Sequence, residues 1–150
     1  MSQEELTPAI HLLFQSIKDL SVENPTPEVL FAAEEKTLET NLNLDVQARS
    51  TEKEDTFEVV ISIKATIEKE NKTVFLLDLH YSGLFSVKHA QGETLTFILF
   101  VQCPHLLFPT VRHLIRQLTQ ESGLPSINLQ PVDFLELLKT KMKADEEEAE

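Results

Sequence analysis

Residues 103–116 read CPHLLFPTVRHLIR, and how this stretch is taken decides how the rest of the chain can fold. Pro104 and Pro109 bracket the apolar run Leu106, Leu107 and Phe108. Proline has no N–H to donate and restricts the residue before it, so each one marks a kink or a boundary. Pro109 is well placed to open a helix. Beyond it Val111, Leu114, Ile115 and Leu118 recur at helical spacing, with Arg112, Arg116 and Gln117 off that face. On pattern alone this is a core helix with a kinked entry.

Upstream the period changes from helical to two. Phe57, Val59, Ile61, Ile63, Ala65 and Ile67 alternate with Glu58, Ser62, Lys64, Thr66 and Glu68, the clearest strand pattern in the chain. A polar turn at 69–72 leads to a second strand from Thr73 to about Val87, with Phe75, Leu77, Leu79 and Tyr81 on one face. Before them, Leu38, Leu42, Leu44 and Val46 alternate with polar residues. A first strand is expected from about Leu12 to Glu23, with Phe14, Leu20 and Val22 facing one way and Gln15, Asp19, Ser21 and Glu23 the other. Pro25 and Pro27 exclude a central strand between these two, so a loop joins them. Val29, Leu30 and Phe31 follow it and either tuck into the core or form a binding lip. Glu93 to Val101 is open: it has strand propensity but runs straight into the proline-bracketed stretch.

After the helix, Ser122, Gly123, Leu124 and Pro125 make a stop signal. Residues 128–131 are irregular. A second helix is expected near Asp133, because Asp133 and Glu136 have capping-box spacing. Phe134, Leu135, Leu137, Leu138 and Met142 supply its apolar side. Residues 145–150 hold five acids and one alanine, so 143–150 is expected to be a disordered acidic tail on a single domain spanning 1–142.

Consecutive strands with short turns imply an antiparallel sheet with one buried face. Its outer face would carry Asp19, Glu23, Glu39, Asp45, Glu58 and Asp78, with Leu76 as an apolar exception. Such a face is either simply solvated or an acidic docking surface for a basic partner. The formal net charge of −12 argues against nucleic acid or an anionic membrane as partner. The opening residues, MSQEELTPAIHLLF, are acidic where an export signal would be basic, and no window is expected to approach the roughly 20 apolar residues of a membrane span. A cytoplasmic location is expected, without membrane insertion.

No catalytic set stands out. Cys103 and His105 could pair as a nucleophile and base, but nothing supplies a lowered thiol pKa or an orienting group. One cysteine permits no internal disulfide, and the five histidines have no zinc-ligand spacing. Three glycines leave little for a phosphate-cradling loop. No metal, cofactor or enzymatic activity is expected.

The run CPHLLFP at 103–109, followed by Arg112, resembles the signature of the SecB family of protein-export chaperones. KDLSVE at 18–23, LNLD at 42–45, FEVV at 57–60, GLFS at 83–86 and INLQPVDF at 127–134 fall in the family's order, so the resemblance covers residues 10–142. It implies an α+β fold: a four-stranded antiparallel sheet with a crossover loop between its first two strands, then a long helix and a shorter C-terminal helix. The same resemblance makes Glu93 to Val101 helical. It also implies a homotetramer, a dimer of dimers, acting as an ATP-independent holdase that binds unfolded precursor proteins and delivers them to the motor ATPase SecA. The family's motor-docking positions match Asp19, Glu23, Leu76 and Asp78, the last an aspartate where glutamate is common. Client grooves between crossover and helices would use Val29, Leu30, Phe31, Leu84, Phe85, Phe134 and Leu138. Four chains at −12 each would carry −48, a strong field for basic, unfolded clients. The chain departs from the family in lacking tryptophan, with Lys36 near its usual place, and in the bulk of residues 97–101. Two other readings stand beside this one: a SecB-like chaperone dedicated to a toxin–antitoxin pair, and a small thiol-dependent enzyme using Cys103.

Overall fold

The computed structural model describes residues 6–124, 127 and 129–149. Pro125, Asn128 and Glu150, which figured in the expected helix stop, the irregular link and the tail, lie outside these residues.

Four strands form one antiparallel sheet: β1 (Ala9–Glu23), β2 (Glu39–Ser50), β3 (Thr56–Lys69) and β4 (Lys72–Lys88), in spatial order β1-β4-β3-β2. The chain therefore crosses from one edge of the sheet to the other between β1 and β2, as expected. That crossover is more ordered than a loop, with a short helix α1 (Pro27–Ala32) and a 3₁₀ turn at Glu35–Thr37. Pro27 opens α1, where a missing N–H costs nothing.

The helices pack on one face of the sheet. Beneath them Val59, Ile61, Ile63, Ala65 and Ile67 of β3, with Phe75, Leu77 and Leu79 of β4, are all essentially inaccessible to solvent. This is the period-two pattern of the sequence turned into a core.

Glu93 to Val101 is helical. Helix α2 (Gly92–Phe97), a π-helical stretch (Ile98–Gln102) and α3 (Cys103–Glu121) run on as one helix. Pro109 therefore does not open a helix; it lies inside α3. The wide turn comes just before Pro104, where the Cys103 N–H reaches back five residues to the Ile98 carbonyl. Widening the turn there takes the helix past a ring that would otherwise crowd the carbonyl four residues back. Pro109 cannot donate to the His105 carbonyl, but Leu107, Val111 and Ile115 are fully buried against the sheet, and that packing holds the helix across the gap. At its far end Gly123 has φ +81°, its N–H bonds to the Gln120 carbonyl and Leu124 N–H to the Thr119 carbonyl. That is a Schellman end, as the glycine implied.

The 92–121 helix is long and apolar enough, by length and composition, to cross a membrane. The expectation that no window approaches a span was therefore too strong. Its contacts account for the composition: its apolar face is core, packed on β3 and β4.

Helix α4 (Phe134–Glu148) starts where the capping box placed it, with Asp133 Oδ1 accepting from the Glu136 N–H at 3.1 Å. It continues through residues expected to be disordered: 143–148 are helical. Lys, Ala and Glu are strong helix formers, and they extend a helix already nucleated by packing.

Candidate functional site

The sheet face away from the helices is uncovered, and the strand register fixes what it displays. Two bulges in β1, between Leu12 and Phe14 and between Ile17 and Asp19, each reverse the alternation. Ile10, Leu12, Gln15, Ile17, Leu20 and Val22 therefore face the helix side, opposite the odd-numbered residues of β4. Phe14 goes to the outer face and Gln15 to the inner one, the reverse of the simple alternation read from sequence. Gln15 accepts a hydrogen bond there from the Tyr81 hydroxyl at 3.0 Å.

Asp19, Ser21 and Glu23 pair across β1 and β4 with His80, Asp78 and Leu76. The four docking positions expected from the resemblance, Asp19, Glu23, Leu76 and Asp78, thus form one patch on the outer face. Asp19 and Glu23 are exposed; Leu76 and Asp78 are half-buried. One level across the sheet runs Asp19 (β1), His80 (β4), Ser62 (β3) and Asp45 (β2). Lys18, Asp19, Asp45, Gln47, Val60, Ser62 and His80 line an open trough of about 520 Å³.

Glu58, expected on this acidic face, is not available to a partner. It is 7% exposed. Its Oε1 accepts from Lys18 Nζ and Arg49 Nε, each at 2.8 Å, and its Oε2 from the Ser82 hydroxyl at 2.8 Å. Burial alone would raise its pKa. The hydrogen bonds from Lys18, Ser82 and Arg49, together with the Lys18 charge, outweigh burial and lower it to about 2. The four residues come from four different strands, so the cluster ties the sheet together across its full width.

The expected client-groove residues do not come together as one surface. Phe31 on α1 is 95% exposed, while Val29 and Leu30 are half-buried against the core. Leu84 faces outward, paired with Phe14 and Glu58. Phe85 is fully buried and Phe134 is 2% exposed, set edge-on to Phe108 with ring centroids 5.7 Å apart. Both are core residues rather than the groove surface that the resemblance implied. Leu138 does line a groove, of about 700 Å³, with Gly92, Glu93, Thr96, Phe97 and Met142. Phe97 and Met142 were not singled out as groove residues. Their exposure, alongside Leu138 on the next helix, marks them.

Cys103 is fully buried, and burial pushes its thiol up to about 12. A thiol so held offers almost no thiolate near neutral pH. Among the described residues no group of three or more His, Cys, Asp or Glu side chains is placed to hold a metal ion.

The family model "Preprotein translocase subunit SecB" matches residues 3–145. The curated "Protein-export protein SecB" of Granulibacter bethesdensis is 37% identical over 148 residues, covering 94% of this chain and 86% of that protein. The protein of the same name from Rickettsia felis is 35% identical over 138 residues, covering 92% and 91%. Among solved structures, a Mycobacterium tuberculosis SecB-like chaperone in complex with a ChAD peptide from an antitoxin superposes with a TM-score of 0.66. That match is at 16% identity over 82% of this chain and 90% of that one, and so speaks to the fold. With the fold, the uncovered acidic face and these relatives in agreement, the chain belongs to the SecB family of protein-export chaperones.

Proposed function

We propose that this chaperone works in the cytoplasm as an ATP-independent holdase, which binds unfolded precursor proteins and delivers them to the SecA motor ATPase. The observation that carries this reading is the outer-face patch of Asp19, Glu23, Leu76 and Asp78, which the two-bulge register of β1 brings beside β4. Three carboxylates around an apolar side chain suit a docking partner with basic and apolar contacts. Clients are held by apolar contact at Phe31 on the crossover and at the groove between α2 and α4 lined by Phe97, Leu138 and Met142. The net charge of −12 draws basic, unfolded segments toward these surfaces.

The working form is a tetramer, a dimer of dimers. Support comes from β1, an edge strand whose inner-face Leu12, Ile17, Leu20 and Val22 stay exposed beyond the reach of the long helix, and from Leu106 exposed on α3. An edge strand with an apolar face is a surface that natural proteins cover. A dedicated antitoxin chaperone gains nothing specific from this chain, since the antitoxin-bound neighbour shares the fold at 16% identity.

The test is direct. The purified chain should suppress aggregation of a urea-unfolded precursor on dilution without nucleotide, and should bind SecA. Asp19→Lys, Glu23→Lys and Asp78→Lys should each abolish motor binding and leave aggregation suppression intact. Unchanged motor binding in all three would overturn the docking assignment, and no effect on aggregation would overturn the holdase.

A further inference from the structure

The outer face is not acidic throughout. At the level of Glu58 two cations meet over one carboxylate: Lys18 Nζ and Arg49 Nε each lie 2.8 Å from the same oxygen, Oε1. The acid is the buried member, whereas the Lys18 and Arg49 side chains are 48% and 61% exposed. A partner approaching the sheet therefore meets the cations and not the carboxylate between them. Lys18 reaches inward from the edge strand β1 and Arg49 from the opposite edge strand β2, so the positive charge sits over the middle of the sheet.

Most of the donor capacity of this pair is unspent. An ammonium carries three N–H donors and a guanidinium five. The contact with Glu58 Oε1 takes one from each. Two positive charges against one negative leave the cluster with a net positive charge. A hollow of about 140 Å³ is lined by Lys18, Gln47, Ala48, Arg49, Glu58 and Val60, and the cluster supplies every charge among these lining residues. Asp19 and Asp45 line the neighbouring trough instead, and Lys141 lies 3.4 Å from Asp45.

We infer that Lys18 and Arg49 form a carboxylate subsite of the docking surface, which takes an acidic side chain of the docked partner. This rests on the docking reading above. The partner that fits is bipolar, with basic and apolar groups over Asp19, Glu23, Leu76 and Asp78 and an acidic group over the cation pair. The strand register sets the spacing. Glu58 stands four residues from Ser62, which is level with Asp19, so the cluster lies about 13 Å from that acid at ~3.3 Å per residue. Leu84, opposite Glu58, is eight residues from Leu76, about 26 Å away. An extended segment would carry its acid about four to eight residues from its basic and apolar contacts. Opposite charges at two separated points fix the direction in which such a segment lies, whereas a purely basic segment could lie either way.

The probe is purified SecA, titrated calorimetrically against wild type, Arg49→Gln, Arg49→Lys and Lys18→Gln at about 50 mM and about 300 mM salt. The glutamine amide nitrogen takes the place of the arginine Nε, so Arg49→Gln keeps the bond to Glu58 and removes the charge and the outer donors. It should weaken binding about three- to ten-fold at the lower salt, the size expected of one charge pair at a partly exposed interface. Lys18→Gln should act in the same sense, and Arg49→Lys should recover most of the loss. The gap between wild type and Arg49→Gln should narrow at the higher salt, because an ion pair is screened and a folding defect is not. The sign of the effect decides. A partner with basic contacts alone is repelled by Arg49, and Arg49→Gln would then bind it more tightly. A thermal melt identifies any variant that fails to fold; if one glutamine variant fails, the other decides. The two readings fail differently. If Asp78→Lys leaves motor binding intact, the docking assignment is wrong and the subsite falls with it. If Asp78→Lys abolishes binding while Arg49→Gln binds as tightly as wild type or more tightly, or shows the same loss at both salts, the subsite is wrong and the docking patch stands.

Discussion

Leu107 of α3 rests directly on Gly83 of β4: a Cβ on residue 83 would lie 2.8 Å from Leu107 Cδ2 and 2.7 Å from Phe85 Cε2. Both side chains are fully buried, so neither has room to move aside. The glycine is thus what lets the long helix approach the sheet. Gly83→Ala should destabilise by roughly 1–3 kcal/mol, the usual cost of overpacking. Leu107→Ala alone should cost about 2–5 kcal/mol through its cavity. The double variant should be more stable than the sum of the two predicts, because the new methyl fills part of that cavity. Urea midpoints measure all three, and strict additivity would show that the two sites do not meet.

Glu58 makes a second prediction, about acid. Its folded pKa of about 2 lies below the ordinary value of 4.5. A depressed carboxylate adds stability that is fully present above its unfolded pKa and is lost as pH falls through its folded pKa. The window is therefore from pH 4.5 down to about 2. The contribution is on the order of 2 kcal/mol once screening of the exposed ends of Lys18 and Arg49 is allowed for. Glu58→Gln should be less stable than wild type at neutral pH and converge with it near the acid end. Differences between the two remove the other carboxylates, and a gap that does not change with pH would contradict the assignment.

The strands, the helical run beyond Pro109 and the capped start of α4 were legible because each rests on a local rule; residues 93–101 stayed open between strand and helix on local pattern, and only the family resemblance made them helical. Ile61 and Ile63 are two apart on a β-branched run, and Asp133 needs only the backbone N–H three residues on. Phe14 was not legible: a bulge is one extra residue with no residue type of its own, and the one between Ile17 and Asp19 turns Phe14 outward and Gln15 inward relative to Leu20 and Val22. Asp19 and Glu23 survived because they lie on the same side of both bulges. Pro109 read as a helix start because proline's local preference points that way, whereas tertiary burial of its neighbours carries α3 through it. Phe85 and Phe134 look no different in sequence from Phe97. Only packing against Leu107 and Phe108 separates core from groove.

Cys103 should be chemically silent. It is fully buried, with its thiol pushed up to about 12. At about pH 8 the native protein should react with iodoacetamide at least about a hundred-fold more slowly than the urea-unfolded chain, because only the thiolate attacks. The residual rate should follow opening of the structure and rise with denaturant. Fast native alkylation would restore the thiol-dependent enzyme as a reading.

The last prediction concerns how α4 stays on the sheet. Its final turns are crowded with acids at the end where the helix dipole is already negative, so intrinsic propensity does not secure them. Lys141 supplies the missing attachment. Its Nζ donates to the Val46 carbonyl at 2.7 Å, lies 3.4 Å from Asp45 Oδ1, and sits 5.3 Å from the centre of the Phe100 ring. One cation thus joins α4 to the edge strand β2 and to the π-helical stretch of the long helix. Lys141→Met keeps the apolar stem and removes the charge. Amide exchange across 137–148 should then quicken about ten-fold, the equivalent of one lost hydrogen bond to a charged group. The central strand β3 should keep its protection, since it is packed mainly between β2 and β4 and under α3. Because Asp45 also lines the outer trough, the variant frees that carboxylate and should slightly tighten binding of a basic partner there. Unchanged exchange in α4 would mean that Phe134 and Leu137 hold the helix by themselves, and that Lys141 is only a surface contact.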